Sequence, residues 1–243
     1  MDDFDDDALL ALDVDAITAR HRGVEQAAQE KLREHWGHTE FRDNQLEALR
    51  AVLNGQDCLV VMATGSGKSL CFQLAPLVAG KPAVVVSPLI ALMQDQVLAL
   101  KARGVRAVLL GSAQADRTAE ARAMAGDYDL VYVTPELLAG GRLDLLRMQH
   151  TCGLSLLAVD EAHCVCEWGF DFRPDYAQIG ARRPAGVPLM ALTATAPPAV
   201  RHHLCANLRM APDTLQLVGS PAGGKGRPHP GRGQRPVRPF CAS

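Results

Sequence analysis

No hydrophobic run in these 243 residues approaches the about eighteen positions that crossing a bilayer as a helix requires, and the N-terminus opens with acid rather than with a basic segment and an apolar core. Neither a membrane span nor a secretory leader is expected, and the expected location is the cytoplasm, with nucleoid association if the source is bacterial. Net charge is also small, at −2, so no global basic field draws the chain to polyanions and any phosphate contact must be local. Cysteine is present in an odd number, seven, and mostly within apolar runs; that excludes a complete disulfide framework and predicts free thiols. Cys164 and Cys166 lie close together, but no second pair follows, and a structural zinc needs about four ligands.

What is present is enough apolar sequence, 48% of residues, to bury the core of one sizeable domain. The ends do not contribute to it. Seven aspartates between Asp2 and Asp15 form a self-repelling block, and residues 1–23 are expected to be a disordered acidic tail. From Gly219 to Ser243 the chain has six glycines, five prolines and a single aromatic, Phe240, so residues 219–243 are expected to be disordered as well. Between them, residues 24–218 alternate short β-branched runs (DCLVVM, AVVVS, RAVLL, DLVYV, LSLLAVD, VPLMALTA) with helical patterns such as Leu89 to Arg103 and Pro198 to Leu208. Runs apolar at consecutive positions belong to strands covered on both faces, which predicts an α/β three-layer sandwich around a mainly parallel sheet.

Two motifs carry chemistry. The first strand runs into ATGSGKS (Ala63 to Ser69) and then into a helical stretch from Leu70 to Leu77. Strand, glycine turn and helix in that order make a phosphate cradle: Gly65 and Gly67 let backbone amides of Thr64 to Ser69, Ser66 included, converge on phosphate oxygens. Lys68 would reach the β- and γ-phosphates of ATP, and Ser69 would ligate Mg²⁺. The general pattern has a further glycine where this chain has Met62. The second motif, Asp160-Glu161-Ala162-His163, follows a buried strand about ninety residues later, at the sheet edge where open α/β folds bind ligands. Asp160 would hold the Mg²⁺ and Glu161 would orient and deprotonate the attacking water. Lys68, Asp160 and Glu161 are thus the candidate catalytic residues. His163 reads equally as a polar bridge to a second lobe or as a surface histidine.

With those motifs in place, the chain from about His35 to Val218 resembles RecQ helicases of helicase superfamily two. HWGHTEFRDNQ resembles the family's adenine-recognition motif; the resemblance implies that Gln45 reads the adenine edge while Arg42 and His38 sandwich the ring, with His38 standing where relatives commonly have an aromatic. SPLIALMQDQ (Ser87 to Gln96) resembles the strand-contacting motif, and ALTATA (Ala191 to Ala196) the motif that couples ATP state to DNA through Thr193 and Thr195. WGFDFRPDY (Trp168 to Tyr176) resembles the aromatic-rich loop that senses single-stranded DNA. In it Trp168, Phe170 and Phe172 offer faces for stacking on unpaired bases, and Arg173 a partner for phosphate or carboxylate. Their period of two would also suit a buried strand face, but the interleaved Gly169, Asp171 and Pro174 favour a loop.

The resemblance implies an ATP-dependent 3′-5′ DNA helicase acting in DNA repair and recombination on single-stranded and partly duplex DNA. It extends to the first RecA-like lobe only. The second lobe, which supplies a transition-state arginine, is not expected within this sequence, and the low-complexity end suggests a truncation or a shifted reading frame. The isolated chain is therefore expected to bind ATP and Mg²⁺ but to turn over weakly. The alternative is a non-catalytic module that binds nucleotide or single-stranded DNA; an RNA helicase with the same motor chemistry is a third reading.

Overall fold

The computed structural model describes residues 22–111, 118–166 and 174–219. Trp168, Phe170, Phe172 and Arg173, like the two tails beyond these bounds, lie outside the described residues.

The strands are short and apolar at every position because both faces are covered. β1 (Cys58–Val61), β2 (Ala83–Val86), β4 (Leu130–Val133), β5 (Leu156–Val159) and β6 (Leu189–Thr193) are buried throughout, the pattern of a sheet with helices on both sides. β3 (Ala107–Leu110) and β7 (Leu215–Val218) are the edges of a seven-stranded sheet ordered β3-β4-β2-β5-β6-β1-β7. All its pairings are parallel. The sandwich expected from the sequence is therefore the fold, with one strand more than the apolar runs suggest. β7 escapes that reading because only Leu217 of its LQLV is buried.

Alternation along each strand sorts side chains into two cores. Cys58, Val60, Val85, Tyr132, Ala158 and Leu192 face one layer, which contains a helix over residues 22–36 (α1), α2 (Gln45–Leu53), α3 (Lys68–Gln73), α4 (Ala75–Ala79) and α5 (Ile90–Ala102). Leu59, Val84, Val131, Val159 and Ala191 face the other. That layer holds α6 (Ala119–Ala125), α7 (Pro135–Ala139), α8 (Leu145–Thr151), α9 (Pro174–Arg182) and α10 (Pro198–Asn207). The helical stretch after the glycine turn is divided at Leu74: Pro76 has no N–H to continue α3 and instead opens α4, a position proline suits.

At the amino edge of the sheet one carboxylate ties three strands together. Asp57, 3% exposed, accepts from the guanidinium of Arg183 at 2.5 Å and from the amides of Leu189 and Ala211 at 2.8 Å each. No described helix is long and apolar enough to cross a membrane.

Candidate nucleotide site

The order of the strands brings the two motifs together. β5 and β1 both pair with β6, so the loop after β1 and the acidic segment after β5 leave the carboxyl edge about two strand spacings, or roughly 10 Å, apart. Cross-links tighten the rim: the amide of Met62 donates to the carbonyl of Thr193 at 3.1 Å, and the amide of Asp160 to that of Val86 at 2.9 Å.

The glycine turn is preformed. Gly65 and Gly67 have φ of 78° and 90°, the left-handed region that L residues with a side chain enter at a cost of about 1–2 kcal/mol. Lys68, the first residue of α3, folds back over the loop and donates to the carbonyls of Met62 at 2.8 Å and Ala63 at 3.3 Å. Ser66 donates to the carbonyl of Ala63 at 2.5 Å. The ammonium is thus parked against the loop's own carbonyls, which a phosphate would replace.

The turn is braced from α2. The buried amide of Gln45 accepts from the Arg42 N–H at 2.8 Å and donates to the carbonyl of Gly67 at 3.0 Å, while the Arg42 guanidinium donates to the carbonyl of Gly65 at 3.3 Å. Gln45 and Arg42 therefore hold the phosphate loop, a role the sequence did not disclose, and each amide group of Gln45 keeps capacity for one further bond. Beside this brace lies a cavity of about 430 Å³, walled by Trp36, His38, Arg42, Gln45 and, from the loop side, Gly67 and Ser69. That is within the range of small-ligand pockets, roughly 300–1,000 Å³. Trp36 and Gln73, which also line it, are residues to which the sequence assigns no role. Gln73 carried a signal, being a polar residue on the inward face of a short helix. Thr64 is exposed at the loop's tip.

Space at Gly67 is fully used: a Cβ there would stand 2.6 Å from the Gln45 side-chain nitrogen. Gly67→Ala is expected to push the Gln45 amide off the loop and weaken Mg·ATP binding about tenfold, a loss of roughly 1.4 kcal/mol, measurable by calorimetry.

Across the rim, Asp160 is 6% exposed. Burial, with the neighbouring charge of Glu161, pushes its carboxyl up to about 6, against the lowering effects of the Glu161 amide, Lys68 and His163. Lys68 is thus within electrostatic reach of Asp160, as the sheet order that sets both segments at one edge requires. An ionised Asp160 is a charge under stress, which a cation would relieve. Its oxygens, with the Ser69 hydroxyl, are the hard donors that suit Mg²⁺, so the residues present fit that metal. Among the described residues no group of three or more His, Cys, Asp and Glu side chains is arranged to hold a metal ion.

Glu161 itself adopts φ 49°, unusual for a side chain of its kind, and its carboxylate lies 3.3 Å from His163 Nδ1. The same nitrogen is 3.3 Å from the buried hydroxyl of Thr193, which donates to the carbonyl of Thr195 at 3.1 Å. Thr193 has one hydrogen and a carboxylate has none, so Nδ1 is the donor to both. His163 therefore bridges, within this lobe, the acidic motif to the end of β6. Thr195 is exposed and enters through its backbone. A buried Tyr176 hydroxyl donates to the Asp160 carbonyl at 3.1 Å, tying α9 to the acidic motif. Tyr176 lies within the aromatic segment singled out above, but nothing in the sequence indicated this contact.

Residues 42–203 match the DEAD/DEAH box helicase family. A relative from Arabidopsis thaliana, the ATP-dependent DNA helicase Q-like SIM, is 43% identical over 200 residues, which cover 78% of this chain and 23% of that protein. The ATP-dependent DNA helicase RecQ of Haemophilus influenzae is 41% identical over 185 residues, 74% of this chain and 29% of the relative. The chain thus spans less than a third of the length of either. Among solved structures, the DUF1998 helicase MrfA bound to DNA superposes with a TM-score of 0.63 over 81% of this chain and 30% of that one, at 17% identity. That likeness concerns the fold.

Proposed function

The chain belongs to the DEAD/DEAH box helicase family, and from that premise we propose that it is the ATP-binding lobe of a RecQ-type, ATP-dependent 3′-5′ DNA helicase. The observation that carries this reading is the meeting of Lys68 and Asp160 at one rim, on a loop braced by Gln45. His38 and Arg42 flank the cavity in which an adenine would lie, with Gln45 at its edge. The loop amides from Thr64 to Ser69 and the Lys68 ammonium receive the phosphates. Ser69 and Asp160 are the residues to hold Mg²⁺, which when bound neutralises charge on the phosphate oxygens. Glu161 would accept the proton of the attacking water, and its loss of charge would weaken its 3.3 Å contact with His163, which also touches Thr193. Trp168, Phe170, Phe172 and Arg173 are proposed to meet single-stranded DNA, with His163, Thr193 and Thr195 on the coupling path to it. Residues 24–218 are proposed as the lobe.

A second reading is favoured by coverage: the chain spans 23% and 29% of two helicase relatives. On that reading these 243 residues bind nucleotide or single-stranded DNA without turning ATP over. An ATPase assay with and without a single-stranded oligonucleotide separates the two. DNA-stimulated turnover that vanishes on Lys68→Ala supports the motor reading; tight Mg·ATP binding with no turnover supports the other. On either reading the polypeptide alone is expected to bind ATP better than it hydrolyses it.

The Asp160 carboxyl gives the site a pH signature. Mg²⁺ requires it ionised, so protonation competes with the metal and affinity falls as pH drops through about 6. Between pH 7.5 and 5, Mg·ATP binding by the parent chain should weaken about tenfold more than binding by Asp160→Asn. The difference between the two isolates this carboxyl from protonation of the nucleotide itself, and parallel pH profiles would contradict the assignment.

A further inference from the structure

Three polar side chains, buried Gln73 and Tyr132 and half-buried Gln96, meet on the α3 and α5 side of the sheet. The Gln73 side-chain nitrogen, on the last residue of α3, lies 3.3 Å from the Tyr132 hydroxyl, which lies 2.9 Å from Gln96 Oε1 on α5. Gln73 also reaches Gln96 Oε1 directly, at 3.5 Å. Tyr132 is 1% exposed, and its ring is held edge-on by Phe72 of α3, with centroids 6.4 Å apart. The bonds have one direction: Gln73 donates to the phenol and the phenol donates to Gln96. Burial and the nearby Asp160 charge raise the phenol's titration far above its usual range, so it stays a donor at any working pH.

Packing alone does not explain this group. Tyr132 projects into an otherwise apolar cluster, and Gln96 occupies the inward face of α5 beside Met93, Val97 and Leu100. Phenylalanine and leucine would fill the same space without desolvating a phenol and an amide. What distinguishes the three is where the ends lie. Gln73 walls the nucleotide cavity together with Gln45 and Ser69. Gln96 underlies the helix whose outer side, with its N-cap Leu89, carries four of the six large hydrophobics exposed among the described residues: Leu89, Ile90, Leu92 and Leu98. Ile90 and Leu98 among them line a groove with Val108 and Leu109 of β3.

We propose that Gln73, Tyr132 and Gln96 form a buried bridge through which occupancy of the nucleotide cavity restrains helix α5, with Tyr132 as the positioning residue at its centre. The proposal rests on the nucleotide-binding reading above. A nucleotide beside Gln73 fixes that side chain, which divides its donors between Tyr132 and Gln96. Once fixed it holds the phenol, and the phenol holds the middle turn of α5. Helix α5, with the apolar side chains it exposes, is thereby stiffened or released according to the state of the cavity.

Hydrogen exchange on the 243-residue chain, with and without saturating Mg·ATP, tests this, alongside calorimetry of the same samples. In the parent chain, amides between Ile90 and Ala102 should exchange about three- to tenfold more slowly with Mg·ATP bound. Tyr132→Phe and Gln96→Leu should each keep Mg·ATP affinity within about threefold and lose that slowing. Gln96 is only half-buried, so its variant serves if Tyr132→Phe folds poorly. A merely structural role would lower melting temperature and leave the nucleotide-dependent difference intact. The bridge is overturned if the variants slow as the parent does, or if the parent binds Mg·ATP with no change in α5. A parent chain that fails to bind Mg·ATP in the calorimeter defeats the nucleotide reading itself, and the bridge with it.

Discussion

Lys68→Ala is expected to weaken binding of Mg·ATP by the 243-residue chain about a hundredfold or more, while leaving its fold in place. The ammonium spends its hydrogens on the carbonyls of Met62 and Ala63, at 2.8 and 3.3 Å, so in the free chain it organises the loop from within. With phosphate present it becomes the charged donor at the centre of an otherwise neutral, backbone-lined cradle. A hydrogen bond to a charged group contributes roughly 1.5–3 kcal/mol. Two such contacts on β- and γ-oxygens, less what water recovers, give about 3 kcal/mol, hence the two orders of magnitude. Stability should change by only about 1–2 kcal/mol, because water can reach the carbonyl of exposed Ala63 while that of buried Met62 loses its donor. Calorimetric titration of parent and variant, with thermal melts of both, measures the two quantities separately. Equal affinities would mean that the nucleotide binds elsewhere.

How far such a site can be read from residues alone depends on what kind of contact makes it. The strands β1, β2, β4, β5 and β6 are legible because being covered on both faces demands apolar residues at every position, and their boundaries follow the runs. β7 is not, since Leu215 and Leu217 alternate with Gln216 and Val218, and four such residues ahead of a glycine-rich tail could equally be a loop. The phosphate loop and the acidic motif are legible because phosphate, metal and water restrict both residue type and spacing. What those motifs touch is less so. Gln45 stands out as a reader of adenine through resemblance, yet its two ends are engaged by the Arg42 amide and the Gly67 carbonyl; nothing in a linear spacing says which of several glutamines will brace a glycine 22 positions away. The sequence position of His163 admits two readings. The structure adds a third contact set, to Glu161 and Thr193, that depends on β5 and β6 being neighbours. Buried polar pairs such as Gln73 with Tyr132 are the least legible of all. Their partners are separated by 59 positions and are chosen by sheet order, which the sequence pattern leaves open.

Asp57 belongs to that last class, and its removal should have the largest effect on stability. It sits at the start of β1, on the edge of the sheet opposite the nucleotide site, almost fully buried. One oxygen takes the Arg183 guanidinium and the first amide of β6, Leu189; the other takes the amide of Ala211, which leads into β7. Arg183 in turn donates to the Arg209 carbonyl at 2.8 Å, beyond the end of α10. A single carboxylate thus fixes the amino ends of three adjacent strands and the chain that follows two helices. Asp57→Ala would leave a half-buried guanidinium without its counter-charge and two backbone donors without acceptors. Breaking one side of a buried ion pair costs about 3–5 kcal/mol, against a total stability of roughly 5–15 kcal/mol for a domain. Asp57→Asn should cost less, about 2–3 kcal/mol, because its one acceptor oxygen can still serve either side while its amide nitrogen opposes the other. Arg183→Met should fall between the two, at about 3 kcal/mol, since the carboxylate keeps both amides but loses its counter-charge while almost fully buried. Urea denaturation followed by circular dichroism ranks the three, and a midpoint for Asp57→Ala within experimental error of the parent would show that the edge holds without it. In molecules that remain folded, Mg·ATP affinity should be unchanged: the carboxylate acts at the end of β1 where the strand enters the sheet, and the phosphate loop begins only where it leaves.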